Sequence, residues 1–369
     1  MTARAFSVFG ELQLGGIAAW MFAISIALFA AGCHRSSEIA PLPFTPAPQV
    51  PIARKIPELD GFIRAEMARE DVPGLEIALV RDGRVIWSAG YGLANSFTRR
   101  GVLADTPFEA ASIGKPVTAY AALKLVAEGR LDLRKPLSSY LTTQFLARSR
   151  DRDQITAQHV LTHTSGLSNN IMETAHEIAF QPGTHFRYSG VGFMYLQRAI
   201  ESITHQPFND FMTQTVFAQL GMGSTSYFQS FGAGRFARGH LYPLGFAMPM
   251  PYGPIAQPNA ANLICSTAPD LARFVAELIS PRYLDRNLVA QMLSDQMQGR
   301  IGAEPVSWGL GIGLVHTLRG TCFWQWGSTS DFKSYILGCP DTKMGVAIMT
   351  NSSRGRIITR EIAAKALGD

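Results

Sequence analysis

Ser112 and Lys115 stand three residues apart, at the point where an irregular segment gives way to a helical pattern. The residues at 117–126 are rich in Ala and Leu and predict a helix that ends before Gly129. Residues three apart share one face of a helix, so the lysine amine can reach the serine hydroxyl. This spacing predicts a serine nucleophile with a lysine base, placed at the positive end of the helix dipole.

The same two residues also fit a purely structural role. Ser112 would then be the N-cap of the helix and Lys115 a solvated cation in its first turn, and the tetrad alone does not decide between the two roles. A second tetrad of the same form runs from Ser330 to Lys333. It lies between two strand-like runs with no helix behind it, so we interpret it as a hairpin turn.

A lysine base also requires a proton relay and donors for the oxyanion. Tyr188 lies where a loop leads into a predicted helix, and a nearby Lys115 ammonium is expected to favour its phenolate. The alternative for Tyr188 is a packed ring with a hydrogen-bonded hydroxyl. Residues 324–328 predict an edge strand in which the N–H of Ser328 joins that of Ser112 as an oxyanion hole. The alternative there is a strand of aromatic core residues before a turn.

In this order, the three segments resemble the signature elements of the serine β-lactamase/penicillin-binding-protein superfamily. The resemblance is closest to its class C β-lactamase-like and esterase-like branch and covers about residues 55–367. The family elements are Ser-x-x-Lys, Tyr-x-Asn and Lys/His-x-Gly. The resemblance implies that Ser112 is the acylated nucleophile, that Lys115 is its base, and that Tyr188 shuttles protons in acylation and deacylation.

Two of the elements depart from the family pattern. Gln325, Trp326 and Gly327 occupy the third element, which implies substrate binding beside the oxyanion hole, but Gln325 replaces a cation with an uncharged amide. Gly190 stands where the family has a substrate-binding asparagine. Charge-assisted hydrogen bonds are about twice as strong as neutral ones, so both changes point away from efficient turnover of β-lactams.

The predicted function is therefore a serine hydrolase that acts through an acyl-enzyme on an ester or amide of a small molecule or peptide. One alternative is a D-Ala-D-Ala carboxypeptidase or a class C-type β-lactamase. Another is a non-catalytic, penicillin-binding-like lipoprotein of the envelope. Neither the acyl group, the leaving group nor the oligomeric state follows from the sequence.

The elements that must position these residues follow from periodicity. Helices are predicted at 55–70, 112–128, 156–163, 190–204, 207–219, 267–280 and 354–367, and strands at 75–80, 85–91, 308–316, 321–326, 333–339 and 344–350. This order predicts an α/β fold over 55–369, an antiparallel sheet flanked by helices with a helical subdomain inserted at about 112–240. Residues 241–260 predict an irregular lobe over the site.

The N-terminal residues read as a targeting segment. Residues 17–32 are apolar and uncharged and end in small residues directly before Cys33. This resembles a bacterial lipoprotein signal peptide over residues 1–32, with Cys33 lipidated; the alternative is an uncleaved signal anchor. The Pro-rich residues 33–54 predict an extended linker. Both readings predict a membrane-anchored protein of the bacterial cell envelope with its catalytic domain outside the cytoplasm.

Other residue types narrow the chemistry further. Cys322 and Cys339 flank the predicted hairpin turn. They either form a cross-strand disulfide or stay as two unpaired, buried thiols. No pair of Cys or His has the spacing of zinc ligands, so no metal or cofactor is predicted. His163 and Ser165 lack the Gly-x-Ser-x-Gly element that a Ser-His hydrolase of the elbow type would need. The net charge of +5 comes with no basic run, so no nucleic-acid partner is predicted.

Overall fold

The computed structural model describes residues 39–46, 51–146, 150–172, 176–227, 234–251 and 257–368. All of these residues belong to one compact unit. The signal peptide predicted at 1–32 and Cys33 lie outside the described residues. Within the described ranges, no helix combines the length and the apolar character needed to cross a membrane.

Strands from both ends of the chain meet in one antiparallel sheet. The longer strands are β1 (Gly74–Arg81), β2 (Arg84–Asn95), β8 (Met297–Ile301), β9 (Glu304–Trp308), β10 (Gly313–Thr317), β11 (Gly320–Ser328), β12 (Lys333–Cys339) and β13 (Met344–Thr350); the two-residue strands are β3 (Arg100–Gly101), β4 (Phe108–Glu109), β5 (His240–Leu241), β6 (Met248–Pro249) and β7 (Cys265–Ser266). Over the described residues, the sheet has nine strands in the order β3-β2-β1-β13-β12-β11-β10-β9-β8. Because β1 pairs with β13, the N- and C-terminal parts of the domain form one sheet, as predicted.

Helices cover both faces of this sheet. They are α1 (Ile52–Arg69), α2 (Gly114–Ala127), α3 (Ala157–Leu161), α4 (Gly190–Thr204), α5 (Phe208–Met212), α6 (Ala218–Leu220), α7 (Ala268–Ile279), α8 (Arg286–Met292) and α9 (Gly355–Leu367). A π-helical turn at Thr213–Phe217 links α5 to α6. Helices α1 and α9 pack on one face, whereas α7 and the helices between β4 and β7 pack on the other. This arrangement confirms the predicted antiparallel sheet flanked by helices.

The alternation of side chains along β1 explains the two layers of core. Leu75, Ile77 and Leu79 pack with α1 and α9, while Ala78 and Val80 point into the cluster formed with the inserted helices. Side chains of a strand alternate between faces, so a strand buried on both sides must be apolar throughout. Glu76 is the exception in this strand, and it is fully buried.

Three local features of the structure differ from the sequence predictions or add to them. The run at 308–316 forms two strands rather than one, because the backbone turns between them with a hydrogen bond from Gly309 N to Ile312 O (2.8 Å). Strand β8 and helix α8 were not predicted at all. Part of the predicted linker is docked on the domain: Ile39 N and Ala40 N donate to a carboxylate oxygen of Glu304, at 2.8 and 3.0 Å.

Cys322 and Cys339 form a disulfide bond across β11 and β12, with a Cα–Cα distance of 4.2 Å. The two strands pair in antiparallel register, and the turn between them holds the second tetrad. Of the two alternatives for these cysteines, the structure has the cross-strand bond.

Candidate active site

Ser112 lies in a tight turn directly before helix α2. The turn is a 3-10 helix over Ala111–Ile113, and the backbone of Ala111 has a φ of 49°, a left-handed value that is unfavourable for alanine. No side chain caps either this turn or α2, so Ser112 is not an N-cap. Its side chain is partly exposed between buried neighbours. The turn therefore leaves Ser112 partly accessible to solvent.

Lys115 is buried, with 1% of its surface exposed. Its Nζ lies 3.0 Å from Ser112 Oγ, and the rings of Tyr188 and Phe193 face it with centroids 4.9 and 5.8 Å away. Burial lowers the pKa of Lys115 from 10.5 to about 7, because a low-dielectric surrounding disfavours the ammonium. The structural alternative of a solvated cation is thus wrong, because the amine is buried and its pKa lies near neutral.

A backbone carbonyl that no side-chain motif reveals completes this pair. Lys115 Nζ also donates to the carbonyl oxygen of Ala261, which lies 3.5 Å from Ser112 Oγ. Ala261 N is held by Asn259 Oδ1 at 2.7 Å, and Gln197 Oε1 on α4 accepts from Ala260 N at 2.9 Å. These bonds fix the carbonyl, which orients the amine so that its lone pair can face the serine hydroxyl. Asn259 and Ala260 lie at the end of the irregular lobe predicted at 241–260, and Ala261 follows directly after it.

Tyr188 lies beside both residues, as the sequence predicts, but its phenolate is not favoured. Burial raises the pKa of Tyr188 well above its ordinary value, and hydrogen bonds with Ser112 and Gln325 oppose this rise. Since Lys115 titrates near neutral pH, it supplies too little positive charge to stabilise a phenolate. The expectation of a phenolate was therefore wrong, and the hydroxyl of Tyr188 carries its proton.

The third element lies at the free end of strand β11. The neighbouring strand β10 pairs with β11 only as far as Trp324, so the residues after it form an edge on that side. Gln325 is fully buried, and its Nε2 donates to Tyr188 Oη and to Trp326 O, both at 3.1 Å. Both amide hydrogens of Gln325 are thus used within the protein, and substrate binding by this residue stays a prediction. The ring of Trp326 packs against that of Tyr188, with centroids 4.8 Å apart.

Gly327 brings strand β11 against the turn of the nucleophile. A Cβ at this position would lie 2.0 Å from Ala110 O and 2.2 Å from Ser334 Oγ, so any side chain would push the strand away. Ser334 Oγ donates to Ala110 O at 2.9 Å and ties the same two segments together. The N–H groups of Ser112 and Ser328 remain the predicted oxyanion donors beside this contact.

Gly190 begins helix α4, and neighbouring side chains fill the space that a larger residue would occupy. A Cβ at Gly190 would lie 2.9 Å from Ile171 Cγ2 and 3.2 Å from Asn169 Oδ1. The loop that carries Asn169 is anchored here, because Ser168 O accepts from Val191 N (3.1 Å). The exposed amide of Asn169 thus lies beside Gly190, the position at which the family element has an asparagine. The sequence gives no sign of this neighbour, since the contact depends on the tertiary fold.

His163 is buried beneath Tyr188 and does not contact Ser112 as a base would. Its ring packs on that of Tyr188 with centroids 4.3 Å apart, and its Nδ1 accepts from Ser189 N at 3.1 Å. Burial, together with the charge of Lys115, lowers the pKa of His163 well below its ordinary value. The imidazole is therefore neutral and supports the tyrosine ring.

The second tetrad is a hairpin turn, as predicted. Lys333 Nζ donates to the carbonyl oxygens of Thr329, Ser330 and Phe332. Ser330 Oγ donates to Asp331 Oδ1 at 2.9 Å. In this tetrad the lysine thus binds main-chain carbonyls, whereas Lys115 binds its serine. Among the described side chains, no group of three or more His, Cys, Asp and Glu could hold a metal ion.

Comparison with known proteins gives a family match over most of the chain. The model of the family described as Beta-lactamase matches residues 59–367. Protein flp of Staphylococcus aureus is 25% identical in an alignment of 316 residues. The alignment covers 80% of this chain and 62% of that protein. The chain thus spans less than two thirds of the length of that relative.

Two further proteins resemble parts of the chain or its fold. Esterase EstB of Burkholderia gladioli is 27% identical in an alignment of 311 residues. The alignment covers 70% of this chain and 78% of the esterase. The solved D-amino acid amidase of Ochrobactrum anthropi superposes with a TM-score of 0.73 at 22% identity, over 85% of this chain and 97% of the amidase. The likeness to the amidase is a likeness of fold alone.

Proposed function

The chain belongs to the beta-lactamase family, and we propose that it is a serine hydrolase that forms an acyl-enzyme on Ser112. The observation that carries the proposal is the buried amine of Lys115, 3.0 Å from Ser112 Oγ. Burial lowers the pKa of Lys115 to about 7. A substantial fraction of this side chain is therefore an unprotonated amine near neutral pH, which is the form that can accept the serine proton.

In the first half-reaction, Ser112 Oγ attacks the carbonyl carbon of the substrate while its proton passes to Lys115 Nζ. The oxyanion that forms is stabilised by the N–H groups of Ser112 and Ser328. As the tetrahedral intermediate collapses, Tyr188 gives its proton to the departing oxygen or nitrogen, and the Lys115 ammonium restores the proton of Tyr188. Water then attacks the acyl-enzyme by the same relay and releases the acid.

We propose that the substrate is an ester or a small amide without a required carboxylate. Gln325 supplies no positive charge, and the ammonium of Lys333 on the next strand is occupied by carbonyls of the hairpin turn. The names of two similar proteins, an esterase and an amidase, support the same substrate classes. Turnover of D-Ala-D-Ala peptides and of β-lactams, the competing function, is expected to be slower, because a neutral amide binds a carboxylate less strongly than a cation does.

A covalent probe tests the nucleophile. A fluorophosphonate probe should add one adduct to the intact protein, and mass spectrometry of the digested protein should place it on Ser112. Ser112→Ala should abolish labelling, and Lys115→Ala should slow it by at least about 10³-fold because the base is lost. Ser330→Ala is the matched control from the second tetrad and should label like the wild type.

The substrate class is tested with a panel of p-nitrophenyl esters, a small amide, a D-Ala-D-Ala peptide and nitrocefin. We expect kcat/KM to be highest for a short ester or the amide. A higher value for the peptide or nitrocefin would replace the proposed substrate with a carboxylate-bearing one. A folded wild-type protein that resists the probe and turns over no substrate would favour the non-catalytic alternative.

We also propose that Cys33 is lipidated and anchors the protein in the bacterial cell envelope. The apolar run before Cys33 supports this location, and so does the Cys322–Cys339 disulfide, because disulfides persist outside the cytoplasm. Cells grown with an alkyne fatty acid should yield labelled protein in the membrane fraction. Cys33→Ala should lose the label, and unlabelled wild type would contradict the proposal.

A further inference from the structure

The side chain of Gln325 is used within the protein in a way that fixes its orientation. It is fully buried in strand β11, and its Nε2 lies 3.1 Å from Tyr188 Oη and 3.1 Å from the carbonyl oxygen of Trp326. A primary amide nitrogen carries two hydrogens, so each hydrogen has one acceptor. Both donors of this side chain are thus satisfied.

The carbonyl of Trp326 decides which end of the amide faces Tyr188. A carbonyl oxygen accepts and cannot donate, so the amide atom beside it must be the nitrogen. Turning the amide over would place two oxygen atoms at this short distance, where they repel each other. Gln325 therefore donates to Tyr188 Oη, and the oxygen of the phenol accepts.

This donor determines where the proton of Tyr188 points. A phenol has one hydrogen, and the position beside Gln325 already holds a hydrogen. The other hydrogen-bond partner of Tyr188 is Ser112. The Tyr188 proton thus faces Ser112 Oγ. Lys115 Nζ lies 3.0 Å from Ser112 Oγ and donates to it as an ammonium; once Lys115 is an unprotonated amine, it can accept the proton of Ser112.

We propose, resting on the hydrolase function above, that Gln325 is a positioning residue that directs the proton of Tyr188 towards Ser112 without adding the charge that would favour a phenolate, and so leaves Lys115 as the base that activates Ser112. A cation at this position would stabilise a phenolate and allow Tyr188 to compete for the serine proton. The neutral amide gives a donor of fixed direction without that charge. The relay then runs from Ser112 to Lys115 in the attack, and from Tyr188 to the leaving group in the collapse.

The other end of the amide argues against a merely structural role. Gln325 Oε1 is buried and finds no hydrogen-bond partner among the described residues. A buried carbonyl without a partner costs stability, so an apolar side chain of similar size would suit the fold better. The glutamine therefore lowers the stability of the fold at this position, and its hydrogen bond to Tyr188 is the contact that an apolar residue could not make.

The test compares Gln325→Leu with the wild type. We expect Gln325→Leu to retain or raise the melting temperature and to lower kcat by about tenfold or more for an ester substrate, because the Tyr188 proton loses its direction. Gln325→Lys should keep the donor but add charge, so its kcat/KM should fall at alkaline pH, where that of the wild type levels off. Gln298→Leu, an exposed glutamine on strand β8 of the same sheet, is the control and should match the wild type.

Unchanged kinetics and an unchanged pH profile in Gln325→Leu would overturn the proposal, and so would a loss of activity matched by a loss of folded protein. A second readout does not depend on turnover. With ¹³C-labelled tyrosine, the NMR resonance of Tyr188 Cζ at neutral pH should shift in Gln325→Leu relative to the wild type, because the hydrogen bond to Tyr188 Oη is lost. An inert wild-type protein with this shift would refute the proposed function alone, whereas an absent shift would refute the role of Gln325.

Discussion

The neighbours of the lysine, and not its burial, separate the Ser112–Lys115 tetrad from its copy in the hairpin. Both lysines are buried, and burial lowers the pKa of Lys115 to about 7 and that of Lys333 to about 8. The two lysines differ in the groups that lie beside the amine. Lys333 is surrounded by carbonyls of its own turn, whereas Lys115 has the hydroxyl of Ser112 within 3.0 Å. A lowered lysine pKa thus becomes chemically useful only where a proton source lies next to the amine.

Activity should therefore rise with pH as Lys115 loses its proton. We expect kcat/KM for a neutral ester to increase through about pH 7 and then level off, following the pKa of Lys115 near 7. Lys115→Arg should be inactive across the whole range, since a guanidinium stays protonated. A wild-type rate that stays constant between about pH 5 and 8 would contradict Lys115 as the base.

The same pKa shift has a consequence for stability. The unfolded lysine keeps its proton up to about 10.5, whereas the folded one loses it near 7. Between these values the unfolded state binds more protons, so the free energy of unfolding should rise with pH over this window. Lys115→Met should remove this contribution and be more stable than the wild type below about pH 7, as urea titrations at several pH values would show. An identical pH dependence for the two proteins would contradict the buried ammonium.

At the scale of elements, strand β1 and helix α7 are joined by a buried carboxyl group. Glu76 lies on β1, and its Oε2 accepts from Ala268 N at the start of α7 (2.8 Å). Its Oε1 has no hydrogen-bond partner among the described residues. Burial raises the pKa of Glu76 well above 4.5, and the nearby charge of Asp270 adds to the rise. The folded protein therefore holds Glu76 in its protonated form.

Replacing Glu76 should change how stability depends on pH. An acid whose pKa is raised by folding stabilises the protein fully below its unfolded pKa, and this contribution is lost as pH rises towards the folded pKa. Glu76→Gln keeps the acceptor for Ala268 but cannot ionise. Its melting temperature relative to the wild type should increase from about pH 4.5 upward.

The control for this prediction is Glu128→Gln, which removes an exposed carboxylate at the end of α2. It should follow the pH dependence of the wild type. A constant difference between Glu76→Gln and the wild type at all pH values would show that Glu76 does not titrate with folding.

At the scale of the whole molecule, distant parts of the chain are tied together around the sheet. The antiparallel pairing of β1 with β13 joins the two ends of the domain. Residues 39–46 also connect to the C-terminal helix, because Arg360 Nε on α9 donates to Ala40 O at 2.7 Å. The insertion carries Lys115 on α2 and Tyr188 in the loop before α4, while the sheet carries Gln325. The site thus exists only when the insertion is packed on the sheet.

The disulfide is expected to stabilise the half of the sheet that carries the third element. Its two cysteines are 17 residues apart, and a bond that closes a loop of this size contributes about 3 kcal/mol to the free energy of unfolding. Cys322→Ala/Cys339→Ala should be destabilised by about that amount in urea titrations. Reductant should lower the stability of the wild type and leave the double variant unchanged; equal responses of the two proteins would contradict the bond.

The sequence by itself predicted the features that depend on local pattern. Alternating apolar residues and an Asp-Gly turn predict β1 and β2, and the Ser112–Lys115 spacing on a helix predicts the nucleophile and its base. The flanking positions of Cys322 and Cys339 made a cross-strand bond one of two alternatives. The hairpin of β8 and β9 was missed although its pairing is local, with Ile301 opposite Glu304. Residues 297–301 alternate between apolar and polar types and Gly302 offers a turn, so the sequence does carry this signal.

Only the tertiary structure decided how the predicted residues act. Ser112 and Lys115 are local in sequence, so their pairing follows from helix geometry alone. The lowered pKa of Lys115, the carbonyl of Ala261 and the bond from Gln325 to Tyr188 each depend on segments far apart in the chain. Desolvation and hydrogen-bond direction are properties of the assembled surroundings. The residue types thus specify which reaction is possible, and the packing around them sets which group holds each proton.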